Sequence, residues 1–221
     1  MTTLAERLAS VTSEVADAVR AADRDPADVT TIVVTKFHPA SLVRELFELG
    51  VRDVGENRHQ DAAPKAAELA ALPLTWHFIG QLQSKKARAV LEYSRILHSV
   101  DRPSLVDALA GAEVDAFVQL NLTDDPGRGG VQPGELEAFV ERVLAASTIR
   151  LRGLMAVAPL AEEPRAAFAR VREASERLRT LAPDATALSM GMSGDFREAV
   201  LEGATHLRIG TAITGNRPPH P

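Results

Sequence analysis

The chain contains no cysteine. Disulfides, thiolate nucleophiles and cysteine-ligated metals are thereby excluded. It also lacks an excess of positive charge: 25 lysines and arginines stand against 30 aspartates and glutamates, a formal net charge of -5. That balance invites neither nucleic acid nor an anionic membrane surface. No apolar run approaches the ~20 residues of a membrane span. The amino-terminal stretch MTTLAERLASVTSEVADAVR is charged throughout and has no signal-peptide core. A cytoplasmic protein without nucleic-acid or membrane partners is expected. Lysine is scarce too. It occurs only at 36, 65, 85 and 86, and the other basic residues are arginine. Each lysine position therefore raises the question of why arginine does not stand there.

What is present is an ordinary globular balance, 45% hydrophobic and 25% charged over 221 residues. That suits one domain, 1–221, with a substantial core. Leu4, Leu8, Val11, Val15 and Val19 recur at helical spacing. After ADRDPADV, short apolar runs alternate with longer amphipathic stretches. Strands are predicted over 31–35, 53–55, 75–80, 95–99, 116–122, 151–156, 187–190 and 206–209. Helices are predicted over 39–49, 60–70, 85–92, 103–110, 134–146, 164–181 and 195–202. Asp101-Arg102-Pro103 and Gln132-Pro133 mark helix entries, and Gly50 and Gly203 mark stops. Such alternation predicts parallel pairing, in a closed barrel or an open doubly wound sheet. The count of eight favours an α/β fold, a single (β/α)8 TIM-type barrel with an additional N-terminal helix. No G-x-G-x-x-G follows the first strand. The tail at 215–221 reads as a loosely ordered end.

In such a barrel, chemistry gathers at the carboxyl ends of the strands. Lys36 ends the run TIVVTK. It is either a rim lysine with a solvated ammonium, or a partly desolvated amine of lowered pKa able to form an imine. LSMGMSGDF and HLRIGT follow the seventh and eighth strands, where barrel enzymes commonly bind phosphate. Ser189, Ser193 and Thr211 offer hydroxyls there, and Gly191, Gly194 and Gly210 let backbone N–H groups approach an anion. Ser193 also lies just before a predicted helix start. Arg208, in an apolar strand end, needs an acceptor: a carboxylate such as Glu56, or a ligand nitrogen or phosphate. His77 reads as a satisfied interior histidine or as a ligand contact. His38, His59, His98, His206 and His220 form no metal spacing, and no metal is expected. The loop NLTDDPGRGGV, with Arg128, reads as solvated and mobile.

These stretches together resemble the pyridoxal-phosphate homeostasis proteins, the YggS/PROSC family. The matching segments are VVTKFHP, DVGENRHQD, WHFIGQLQSKKA, LNLTDDPGRGG, LRGLMAV and LSMGMSGDFREAVLEGATHLRIGTAITG. The resemblance implies a barrel similar to the amino-terminal domain of alanine racemase, with pyridoxal 5′-phosphate held as a Schiff base on Lys36. It implies that Ser193, Gly210 and Thr211 hold the phosphate with Ser189 and Met190 nearby, that Arg208 faces the pyridine nitrogen, and that Asn57 and His77 lie at the pocket. An arginine at that nitrogen disfavours a protonated ring and so supports carbanion chemistry weakly. The only tyrosine, Tyr93, lies in a predicted helix, and no second catalytic base is visible. The expectation is a monomer that stores, delivers or buffers the cofactor for pyridoxal-phosphate-dependent apoenzymes, without robust catalytic activity. The alternative is a low-activity amino-acid racemase. Two positions depart from the family pattern: Lys85 precedes Lys86 where asparagine is usual, and Arg128 replaces a lysine associated with a second mode of cofactor binding.

Overall fold

The computed structural model describes residues 2–216. Residues 217–221 of the loose end expected at 215–221, His220 among them, lie outside the described residues. Among the described residues the strands are β1 (Thr30–Val34), β2 (Asp53–Glu56), β3 (Thr75–Phe78), β4 (Ile96–Val100), β5 (Val114–Gln119), β6 (Ile149–Met155), β7 (Ala187–Ser189) and β8 (His206–Ile209). The helices are α1 (Leu4–Ala21), α2 (Ala40–Glu48), α3 (His59–Glu68), α4 (Ala87–Val90), α5 (Pro103–Leu109), α6 (Leu136–Ala145), α7 (Pro164–Leu181), α8 (Phe196–Leu201) and α9 (Thr211–Thr214). Each strand pairs in parallel with the next, and β8 pairs in parallel with β1. The sheet is therefore a closed barrel rather than an open one.

Local chemistry explains the outer layer. Thr3 and Glu6 form a reciprocal capping box at the start of α1. The helix turns Leu4, Val11, Val15 and Val19 into the core. The eighth barrel helix, α9, has only four residues and cannot cover β8 and β1. Instead α1 packs against α8 and α9. Arg7 ties the two ends together, donating from Nε to the carbonyl of Ile213 at 2.7 Å.

Three elements depart from expectation. β3 ends at Phe78 rather than at 80, because the chain must pass the backbone of Asn57. A Cβ at Gly80 would lie 2.1 Å from the Asn57 carbonyl oxygen, so only glycine fits. The helix expected over 85–92 is a single 3-10 turn, Ser84–Lys86, followed by the short α4. The one-turn α9 follows β8 where the sequence predicts no helix.

The strand alternation divides the core in two. Leu97, Ala116, Val118, Leu188, Leu207 and Ile209 point outward to the helices. Phe117, Met155 and Ala187 form a separate cluster inside the barrel. His98 stacks on Phe117 with ring centroids 4.4 Å apart, and His206 meets that ring edge-on at 5.1 Å. His77, Ser189 and Arg208 are buried beside them. Barrel interiors are usually filled by branched aliphatics. This one is largely aromatic and polar.

Candidate functional site at the barrel mouth

Lys36 follows β1 in a turn and is solvent-exposed, which is the rim position with a solvated ammonium rather than the partly desolvated one. Its neighbours are held firmly. Thr35 donates its N–H to the Gly55 carbonyl at 3.0 Å and its hydroxyl to Glu56 Oε1 at 2.7 Å. Phe37 adopts φ +69, a conformation costly for a bulky residue and sustained only by its surroundings. The Lys36 ammonium lies 6.0 Å from the centre of the Phe37 ring, and the Arg58 guanidinium approaches the same ring at 5.8 Å.

Beneath this turn sits a group that sequence reasoning passed over. Lys65 of α3 is buried, and its ammonium donates to Glu56 Oε1 at 2.6 Å and to the Thr35 carbonyl at 2.9 Å. A compact ammonium can satisfy both acceptors in so small a space, and a planar guanidinium cannot. The scarcity of lysine was the available signal. Burial pushes the Glu56 carboxyl above the usual carboxylate range, against the opposing pull of Lys65 and Thr35. Burial, reinforced by Lys65, holds His38 below its ordinary value. Glu56 Oε2 and Asn57 Oδ1 are buried without a hydrogen-bond partner. Each such acceptor costs about 1–3 kcal/mol. Their position next to the Lys36 turn fits a ligand that brings a donor.

The barrel closure brings the two ends of the site together. Val33 of β1 is in register with Ile209 of β8. Gly210 therefore passes close to Val34, with a Cβ there 3.5 Å from that of Val34. Lys36, Gly210 and Thr211 share one edge of the mouth. Across from α9, the loop after β7 turns on Gly191 at φ +92, where a Cβ would lie 2.6 Å from that of Ala199. Ser193 Oγ accepts from the Ala212 N–H at 3.4 Å. Met190 is fully buried behind this loop.

Arg208 does not pair with Glu56, whose carboxylate is taken by Lys65. Its Nη1 donates to the Ser189 carbonyl at 2.6 Å and to Ser189 Oγ at 2.8 Å, and its Nη2 donates to the Ala156 carbonyl at 2.9 Å. Burial lowers its pKa to about 10. His77 lies deeper, with both ring nitrogens engaged by protein groups. The structure thus gathers Lys36, Asn57, Ser193, Gly210 and Thr211 at the mouth, with Ser189, Met190 and Arg208 behind and His77 below them. The loop after β5, expected to be mobile, is knit together. Asn121 donates to the Asp125 carbonyl at 2.9 Å and accepts from the Thr123 N–H at 2.9 Å. No helix among the described residues is long and apolar enough to cross a membrane.

Residues 8–218 match the family described as alanine racemase, N-terminal domain. The chain is 44% identical to the pyridoxal phosphate homeostasis protein of Pseudomonas aeruginosa, covering 98% of this chain and 97% of that one. It is 36% identical to the protein of the same name from Escherichia coli K12, covering 98% of each. Among solved structures it is similar to PipY of Synechococcus elongatus with PLP bound, with a TM-score of 0.85 and 39% identity over 96% of this chain and 100% of that one. The alanine racemase of Corynebacterium glutamicum shares the fold, with a TM-score of 0.72 and 18% identity over 94% of this chain and 62% of that one.

Proposed function

The chain belongs to the alanine racemase N-terminal domain family and, within it, to the pyridoxal phosphate homeostasis proteins; from that premise we propose that it binds pyridoxal 5′-phosphate at this mouth, as a Schiff base on Lys36. The observation that carries the reading is the β1–β8 closure, which brings the segment leading to Lys36 alongside the one leading to Gly210 and Thr211, whose neighbour Ala212 donates to Ser193. The bound cofactor supplies a reactive aldehyde and an electron-withdrawing ring. Lys36 provides the amine. Ser193 and the Gly210–Thr211 segment take the phosphate, backed by Ser189 and Met190. Asn57 lines the ring, and His77 acts from behind through its neighbours. Arg208 donates a hydrogen bond to the ring nitrogen without surrendering its proton.

An unprotonated ring is a weak electron sink, which supports storage, delivery or buffering over turnover. Tyr93 supports the same reading. It is packed among α3 and the outer face of β3, and its hydroxyl turns to His59 Nδ1 at 3.5 Å. The proposed role is that of a cytoplasmic monomer supplying pyridoxal-phosphate-dependent apoenzymes. Purified protein should show a visible absorbance band that borohydride bleaches, with the reduced adduct on the peptide carrying Lys36. An adduct that survives Lys36→Ala would remove Lys36 from this role. A colourless protein yielding no pyridoxal on denaturation would remove the cofactor.

A further inference from the structure

A line of polar side chains crosses the inside of the barrel. Asp53 Oδ1, at the start of β2, lies 3.0 Å from His77 Nε2. His77 Nδ1 lies 3.0 Å from His98 Nε2. His98 Nδ1 lies 2.8 Å from Ser189 Oγ, and Ser189 Oγ accepts from Arg208 at 2.8 Å. The inner members are almost wholly buried, whereas the Asp53 side chain is 32% exposed. The line is not a metal site: among the described residues no three histidine or acidic groups are placed to hold an ion.

The chemistry of its two ends sets its direction. Arg208 can only donate, so Ser189 Oγ accepts from it and has its own proton free for His98 Nδ1. The Asp53 carboxylate can only accept, so His77 donates from Nε2. Neutral His77 then accepts at Nδ1, and His98 donates from Nε2. Every bond is satisfied with both rings neutral and both protons on Nε2. The competing arrangement, a protonated His77, would turn His98 round and aim two donors at Ser189 while adding a second buried cation near Arg208. Burial, with the Arg208 charge beyond Ser189, holds His98 well below its usual value, in keeping with a neutral ring.

We infer that Asp53, His77, His98 and Ser189 form a one-way hydrogen-bond relay that stands in for a direct counter-ion to Arg208. Each neutral group turns its lone pair toward the guanidinium and its proton toward the carboxylate. The relay thereby fixes Arg208 in position and stabilises its charge from the far end of the barrel. Asp53, His77 and His98 are positioning residues. The consequence for the cofactor rests on the reading of Arg208 given above.

The decisive measurement is the tautomer of each histidine in cofactor-free, nitrogen-15-labelled protein. Long-range proton–nitrogen correlation should find His77 and His98 both carrying the proton on Nε2. Removing the terminal acceptor with Asp53→Ala should shift the His98 ring signals, although that ring does not touch Asp53. The same variant should weaken pyridoxal phosphate binding about tenfold, the effect of losing one polarised link, with the adduct still on Lys36. A proton on Nδ1 of either ring overturns the relay. So do unchanged His98 signals and unchanged affinity in Asp53→Ala. The tautomers are read in the parent protein, so they decide the direction even if the variant does not fold. Protein with both tautomers as described but no affinity for pyridoxal phosphate would sink the proposed function and leave the relay standing.

Discussion

Lys65 shows how one atom's environment decides a residue's identity. Its ammonium is the nearest compensation for the buried Glu56 carboxylate and also holds the Thr35 carbonyl. Removing one partner of a buried pair leaves an uncompensated charge, at a cost of about 3–5 kcal/mol. Lys65→Met should therefore lower the stability measured by urea unfolding by that amount. Adding Glu56→Gln should recover at least half of it, since the stranded charge is then gone. The mouth was legible in the sequence where residue types are unusual for their place, as with Lys36 after an apolar strand and the glycines and serines after β7 and β8. The Lys65–Glu56 pair was not, because Lys65 lies within a helix pattern whose inward face only the packing reveals. Nor were the partners of Arg208, since Glu56 was equally near in sequence logic.

At the scale of elements, all eight strands were legible, with boundaries moving by a few residues. Short apolar runs set between longer amphipathic stretches carried that signal, and those runs are buried almost continuously. The short elements were not. One-turn α9 is too brief to show periodicity, and α4 is cut down by the 3-10 turn before it. α9 depends on α1 for its cover. Arg7→Ala removes the hydrogen bond to the Ile213 carbonyl, worth about 0.5–1.5 kcal/mol. Amide exchange should accelerate in α9 more than in β8 behind it. Equal acceleration in both would mean that α1 supports the barrel as a whole rather than this corner of it.

For the whole molecule, the polar interior ties stability to pH. Burial, helped by the charges of Arg152 and Arg208, lowers the pKa of His206 to about 4 in the folded state. In the unfolded chain a histidine titrates near 6.5. As pH falls from about 6.5 to about 4 the unfolded chain takes up a proton that the folded one refuses, so stability falls. His206 contributes up to about 3 kcal/mol to that loss. His98 and His38, also lowered by burial, act in the same sense. Glu56, raised by burial, acts in the opposite one. Urea midpoints should therefore decline over this window in the parent and decline less steeply in His206→Gln. Parallel slopes would show that His206 is not among the groups responsible.

The pairing of β1 with β8 has a bearing on how the protein is made. Lys36 emerges during synthesis well before Arg208, Gly210 and Thr211. Parallel partners so distant in sequence meet late, after a slow search. A nascent chain halted before β8 carries the amine but lacks Arg208, Gly210 and Thr211. On the function proposed above, competence to bind falls to closed barrels alone, and a ligand at this seam distinguishes a chain whose β1 and β8 have met from one in which they have not.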